Sequence, residues 1–327
     1  MENINKKEQL QLVYGDYTFG VKGGDSREGT DFRYIFSYAA GGPVSFRVSG
    51  KEWLYRAPRP TFWRATTDND RGNGFHLKSG MWLAADMFQR CTDIRVTVDG
   101  AEVCDLFAPD NNRHTPDEYA QEVALTFCYE TITVPKTNVR VTYAVQADGS
   151  MKVSVAYEGK EGLPQLPAFG LRFVMPTAAK GYRYEGLSGE TYPDRKDGGV
   201  HGIYEVDGLP VTPYLVPQEC GMHMDTDWLA VCRDTALDNS VKNCPETVLC
   251  IESSGEKFAF SCLPYTAEEL ENATHQEELP PVRRTVLCVY GAVRGVGGIN
   301  SWGADVGEKY QIDAGKDITF SFRMRFC

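Results

Sequence analysis

The chain has 327 residues, with 34 Lys and Arg against 45 Asp and Glu, a formal net charge of −11. Nucleic-acid binders draw most of their affinity from a basic face that neutralises phosphates, so this acidic excess argues against that class of partner. At 42% hydrophobic and 24% charged residues the composition is that of a folded globular chain, no apolar run approaches the ~18 residues that cross a bilayer, and the opening MENINKKEQL lacks the apolar core of a secretory leader; no membrane partner and a cytoplasmic location are expected.

Residues 1–11 read as a flexible N-terminal arm, followed by a single domain over 12–327, since all-β sandwiches run beyond roughly 200 residues as one unit. Residues 79–90, holding Met81, Trp82, Leu83, Met87 and Phe88, predict a short helix. Residues 94–98 alternate apolar and polar up to Asp99 and Gly100, and 101–104 follow as the return strand. The same pattern joins 138–146 to 151–157 through an Ala147, Asp148, Gly149 turn, and joins 247–251 to 257–261 through a Ser and Gly turn. Thr266 with Glu269 fits a capping box that opens a second helix, running to about Gln276. Residues 317–326 close the chain as a long period-two strand. Strand after strand with polar turns predicts packed antiparallel sheets and excludes an α/β barrel, which alternates strands with helices around the ring.

The ten cysteines show no C-x-x-C pair or metal-ligand spacing, and several, such as Cys128, Cys250 and Cys288, lie in apolar strand-like runs; reduced, buried thiols are expected. His76, His114, His201, His223 and His275 are scattered, so no metal site and no cofactor are expected in this chain. Two stretches are unusual. Residues 61–74, TFWRATTDNDRGNG, combine aromatic, carboxylate, amide and guanidinium groups. Asp68, Asn69 and Asp70 suit the capping of a tight turn, with Arg64 or Arg71 pairing a carboxylate, and the same groups suit a polyol. Residues 291–303, GAVRGVGGINSWG, deliver one indole in a glycine-rich loop, where a platform for the C–H face of a sugar is more natural than a core contact.

At these stretches the chain resembles a known family. Residues 59–72 (RPTFWRATTDNDRG), 186–195 (GLSGETYPDR), 211–221 (VTPYLVPQECG), 260–270 (FSCLPYTAEEL) and 295–302 (GVGGINSW) resemble, in order, segments of the C-terminal β-sandwich of glycoside hydrolase family 2 β-galactosidases, in the form in which that sandwich is the small subunit of heterodimeric members. The resemblance covers nearly the whole chain, from Leu12 to Phe326. It implies an all-β fold, a large antiparallel supersandwich similar to galactose mutarotases, with one or two short helices.

The resemblance also implies a division of labour. The jelly roll, immunoglobulin-like modules and catalytic (β/α)8 barrel of the single-chain enzymes would lie on a separate large subunit. Both catalytic carboxylates of a retaining hydrolysis of terminal β-D-galactosides such as lactose, and any metal ions, would then be held by that partner, leaving no catalytic residue here and a chain inactive alone. By motif, Trp302 would stack against the sugar, with Asn300 and Ser301 as secondary loop candidates. Where the family often has two carboxylates before the Ser-Trp pair, this chain has Ile299 and Asn300. Two alternatives stand beside this reading: a stand-alone carbohydrate-binding or assembly module, and an aldose 1-epimerase with a His acid and a Glu base, for which the typical His-Pro-Tyr-Phe block is lacking.

Overall fold

The computed structural model describes residues 9–106, 118–237, 244–300 and 302–326. Period-two patterning becomes strand wherever it occurs. A six-stranded antiparallel sheet is formed by β1 (Leu10–Tyr14), β2 (Thr18–Gly23), β3 (Phe32–Ser37), β4 (Gly42–Val48) and β5 (Lys51–Glu52), in reverse chain order, with β9 (Tyr119–Ala120) on the β1 edge. β6 (Arg56–Thr61) then leaves for a second sheet. Helices α1 (Asp68–Asn73), α2 (Phe75–Lys78) and α3 (Met81–Met87) follow, before β7 (Gln89–Val98) and β8 (Ala101–Glu102).

A ten-stranded sheet runs along the other side of the core. After β9 its strands are β10 (Glu122–Thr131), β11 (Asn138–Gln146), β12 (Met151–Tyr157), β14 (Gly181–Leu187), β15 (His201–Asp207), β17 (Trp228–Arg233), β18 (Thr247–Ser253) and β21 (Ile318–Phe326), in the spatial order β15-β14-β17-β18-β21-β12-β11-β10-β7-β8. The closing strand β21 sits between β18 and β12 and so joins the two halves of this sheet. The third sheet holds β13 (Ala168–Met175), β16 (Met222–Thr226), β19 (Phe258–Leu263) and β20 (Thr285–Val293) with β6, and α4 (Ala267–Asn272) follows β19.

Ring contacts define the layers. Phe36 of the six-stranded sheet lies 5.9 Å from Tyr143 of the ten-stranded one, and Phe169 and Phe173 of the five-stranded sheet lie 5.9 and 6.3 Å from Phe320 and Phe322. The ten-stranded sheet is therefore one layer, and the other two sheets together face it across a single apolar cluster. The opposite face of the five-stranded sheet is also covered, by a second cluster around Tyr192, Met222 and Tyr290 and a third around Cys220, Leu263 and Leu270. That is why β19 is buried at every position. Tyr192 of segment 186–195 and Val211 and Cys220 of segment 211–221 thus help to cover this sheet.

Several expectations are corrected. β18 and β19 belong to different sheets, so the Ser and Gly turn between them crosses the sandwich instead of closing a hairpin; β18 pairs with β17 and β21 in the ten-stranded sheet, while β19, buried at every position, pairs with β16 and β20 in the five-stranded one. The β7–β8 hairpin is as expected, with Asp99 and Gly100 both at positive φ, 47° and 82°, as a type I′ turn requires. Four short α-helices form in place of one or two: α3 is shorter than 79–90, α4 stops at Asn272, and residues expected as a tight turn make α1. Leu10 and Gln11, expected in the arm, lie in β1, with Leu10 fully buried. The nine described cysteines are free, but only Cys220, Cys262 and Cys288 are buried; Cys128 and Cys250 are partly exposed.

Phe62 and Trp63 are 1% and 2% exposed and belong to this chain's own core, where Phe62 stacks on Trp82 at 5.4 Å. A buried Trp removes about 150–250 Å² from water, roughly 4–6 kcal/mol at ~25 cal/mol per Å². Trp302, at 92% exposure, forgoes that stabilisation.

Candidate functional site

Trp302 stands at the tip of the loop after β20, and buried charge holds the base of that loop. Arg64, 1% exposed, donates to Asp70 Oδ2 at 2.6 Å and to the Gly295 carbonyl at 3.0 Å. Arg294, at 0% exposure, donates to Asp70 Oδ1 at 3.2 Å, pairs with Asp305, and lays its guanidinium over the Phe75 ring at 3.7 Å. One carboxylate thus serves two buried guanidiniums. Burial alone would raise the Asp70 carboxyl, but the Arg64 charge and hydrogen bonds, with those of Thr67, hold it below its ordinary value.

The helix that presents Asp70 is built for the task. Thr67 is its N-cap: the hydroxyl accepts from the Asp70 N–H, and Asp70 Oδ2 accepts from the Thr67 N–H. The same carboxylate therefore completes a capping box and an ion network. Arg64, and not Arg71, is the arginine that pairs Asp70; Arg71 reaches the Thr66 hydroxyl at 3.3 Å. With its oxygens committed in this way, Asp70 acts as a structural brace within the 61–74 run.

A second set of contacts fixes the rise of the loop. Asp194 accepts from the N–H groups of Val296 and Gly297 at 2.9 and 2.8 Å, Arg195 donates to the Gly297 carbonyl, and Asn69 Nδ2 donates to the Val296 carbonyl at 3.0 Å. The loop presses so closely on α1 that a Cβ at Gly298 would meet Asn69 Nδ2 at 2.7 Å and one at Gly303 would meet the Gly72 carbonyl at 2.9 Å, both at positive φ. Asn300 Oδ1 accepts from the N–H groups of Trp302 and Ala304 at 2.9 and 3.2 Å. The Asn300 oxygen therefore shapes the turn, leaving its Nδ2 as the group that can face a ligand. Ser301 lies outside the described residues.

Further out, Gln218 exchanges hydrogen bonds with Asp68, and Glu271 accepts from the Thr66 N–H and hydroxyl. The loop is thus held by the 64–70 and 194–195 segments, and the first of these is itself fixed by Gln218 and Glu271. Sequence reasoning singled out Trp302, which is exposed, but missed the bracing contacts of Arg294, Asp305, Asp194 and Glu271. These are through-space partners of residues far away in the chain, and no local pattern marks them.

Behind Arg64 lies Glu219, 6% exposed, whose carboxyl burial pushes up to about 8 despite the Arg64 charge. The unfolded chain releases this proton near the ordinary carboxylate value while the folded chain keeps it until about pH 8. The folded state therefore binds more protons across that window, and Glu219 makes stability fall as pH rises through it. In urea titrations at several pH values, Glu219→Gln should gain stability relative to the parent steadily from pH 5 to 8. A difference that stays constant with pH would show that Glu219 is ionised in the folded protein.

Among the other titratable groups, His223 is 5% exposed, stacked on Phe260 at 4.7 Å, with Nε2 at 3.0 Å from the Tyr182 hydroxyl. Burial lowers it to about 4, so it is neutral at pH 7. Glu185, His201 and Asp227 bring three possible metal-ligand atoms within 4.8 Å of one another. The Lys257 ammonium already lies 2.8 Å from Asp227 and 3.0 Å from His201 Nε2, and the Trp228 indole donates to Glu185 at 2.6 Å, so each of these groups already has a partner within the chain. Burial would raise Asp227, but the bonds from Lys257 and His201 hold it low, unlike a general acid.

The class defined by this geometry is an all-β sandwich that projects a braced indole from its surface. The chain matches the family model described as beta galactosidase small chain over residues 28–324, and it belongs to that family. It is 59% identical over 326 residues to a protein named beta-galactosidase small subunit from Latilactobacillus sakei, covering 100% of both chains. It is 33% identical over 325 residues to a beta-galactosidase from Halalkalibacterium halodurans, covering 97% of this chain and 28% of that protein; against this longer relative the chain spans little more than a quarter of the length. Among solved structures, a putative aldose 1-epimerase from Escherichia coli K12 aligns over 97% of this chain and 99% of that one, with a TM-score of 0.42 and 10% identity. A galactose mutarotase-like protein from Lactobacillus casei aligns over 97% of this chain and 100% of that one, with a TM-score of 0.40 and 10% identity. No function transfers at that level of likeness.

Proposed function

We propose that this chain completes the active site of a separate β-galactosidase large chain. The observation that carries the reading is Trp302, held 92% exposed at the tip of a loop whose base is fixed by buried ion pairs. A protein gains nothing for its own stability by bracing an indole into water. The gain comes when a second surface covers it. Membership of the small-chain family and an end-to-end match to a protein named as a small subunit support this reading, as does the alignment of the chain to about a quarter of a longer β-galactosidase.

On this reading the chemistry is divided. Retaining hydrolysis needs two carboxylates about 5–5.5 Å apart, one as nucleophile and one as acid/base, and both belong to the partner, on a (β/α)8 barrel. Trp302 presents a flat apolar face to the C–H face of the galactose ring, while Asn300 Nδ2 and the Ser301 hydroxyl serve its polar edge. Terminal β-D-galactosides such as lactose are the substrate class, and any metal ion sits with the partner's carboxylates. The free thiols of the nine described cysteines fit a cytoplasmic setting, and among the described residues no helix is long and apolar enough to cross a membrane. Incubated alone with a chromogenic β-galactoside, the purified chain should release no product; turnover by this chain by itself would place the catalytic carboxylates here and end the proposal.

A further inference from the structure

The six-stranded sheet carries one continuous cross-strand row of polar side chains. Tyr119 stands opposite Gln11, Gln11 opposite Lys22, Lys22 opposite Arg33, Arg33 opposite Arg47, and Arg47 opposite Glu52. Neighbours in register on adjacent strands are ~4.7–4.9 Å apart, so the three cationic side chains leave the backbone within about 10 Å of one another. The residues flanking them, Val21, Phe32, Tyr34 and Phe46, are buried, which places the row on the sheet's outer face.

Among the described residues this charge is not neutralised. Among the described residues none of the three cations meets a carboxylate at ion-pair distance; Arg47 Nε donates to the Gly50 carbonyl at 3.0 Å, leaving its outer fork open. Glu52, the acid at the end of the row, is turned to other work: its oxygens accept from the Ser45 hydroxyl and from the N–H groups of Phe46, Trp53 and Leu54. Like charges directly opposite each other destabilise a sheet. A chain with 45 acidic residues could have alternated the signs, yet it stacks three cations.

The row also has depth. It floors a cleft of about 570 Å³, edged by the Gly23, Gly24 and Gly50 backbone, in which Asp31 is the one carboxylate among the described lining residues, beside three cations. That volume is in the range of small-molecule sites. An adjoining cleft of about 380 Å³ shares Gln11, Lys22 and Arg33 and continues over Val13, Gly20 and Ile35, themselves in register across the same strands. A charged strip thus borders an apolar one with an opening at Gly20.

The geometry points to an anion site in which Lys22, Arg33 and Arg47 hold the phosphoryl group of a small phosphorylated ligand, with the Val13, Gly20 and Ile35 row beneath its uncharged body. A carboxylate would leave much of this donor set idle, whereas the three oxygens of a phosphoryl group accept from two guanidinium forks and an ammonium together. None of these residues belongs to the brace of the Trp302 loop, so the site stands or falls apart from the proposed role of that indole.

Calorimetric titration of the full chain with inorganic phosphate at low ionic strength tests it. Saturable binding is expected, weakened about tenfold or more in the Arg33→Gln, Arg47→Gln double variant; both side chains are exposed, and an unchanged melting temperature of that variant confirms that its fold is intact. A hexose phosphate should bind more tightly than inorganic phosphate. Absence of saturable phosphate binding, equal affinity in the double variant, or equal competition by chloride at matched ionic strength would overturn the assignment. So would loss of association with the large chain in the double variant while the parent ignores phosphate, since the row would then be a docking face for an acidic protein surface.

Discussion

Trp302→Ala in the assembled two-chain enzyme is expected to raise KM for a β-galactoside by about tenfold, within a range of roughly 5- to 100-fold for truncating a buried aromatic anchor at 1–3 kcal/mol. The effect should appear first in KM because stacking holds the sugar in the ground state and the transition state alike. Any part that grows toward the transition state would appear in kcat as well. The isolated chain should melt at the same temperature with or without the indole, because at 92% exposure it contributes little to the fold. Trp302→Phe should recover part of the loss. Kinetics unchanged by Trp302→Ala would remove the residue from the substrate site.

Asp70→Ala should have the largest effect on stability. The substitution strips the shared counter-charge from Arg64 and Arg294, which are 1% and 0% exposed, and breaks the capping box of α1 at the same time. Leaving a buried charge without its partner costs about 3–5 kcal/mol, and loss of the cap adds ~1 kcal/mol. Urea unfolding of Asp70→Ala against Arg71→Ala separates this network from ordinary surface charge. The Arg71 pair with Asp68 is largely exposed, at 3.7 Å, and its loss should cost less than about 1 kcal/mol. If the two variants unfold at the same urea concentration, the Asp70 network is not what holds the loop base.

Wherever Asp70→Asn still folds, it should carry a raised KM without touching the sugar, since the Gly295 carbonyl and Asp305 are tied to the same two arginines. A loop that projects its functional group into another chain must arrive there already shaped. Here the shape is set by ion pairs at the base, the Asp194 carboxylate on the rise and the Asn300 turn at the tip.

Much of this was legible in the residues themselves. Alternation along 138–146, 151–157 and 317–326 predicts β11, β12 and β21 within a residue or two, because a strand with one buried face records its geometry in every second side chain. The Asp99 and Gly100 turn was readable for a similar local reason. What failed was non-local: nothing in 247–261 says that β18 and β19 lie in different sheets, since both read as apolar runs flanking a turn. The helix α1 was hidden because its cap and its ion pair use the same carboxylate, so the run looks like a cluster of turn formers. Trp302 could be singled out because an indole amid glycines contradicts core logic. The arginine beneath it could not, because a buried Arg294 and an exposed one look alike in sequence.

The most direct test is to titrate a fixed amount of the large chain with this chain while following hydrolysis of a chromogenic β-galactoside. The expected result is negligible turnover from either chain alone and a rise that saturates at a fixed stoichiometry, with the Trp302→Ala chain saturating at the same ratio but to a lower rate at subsaturating substrate. Full activity of the large chain before any of this chain is added would contradict it.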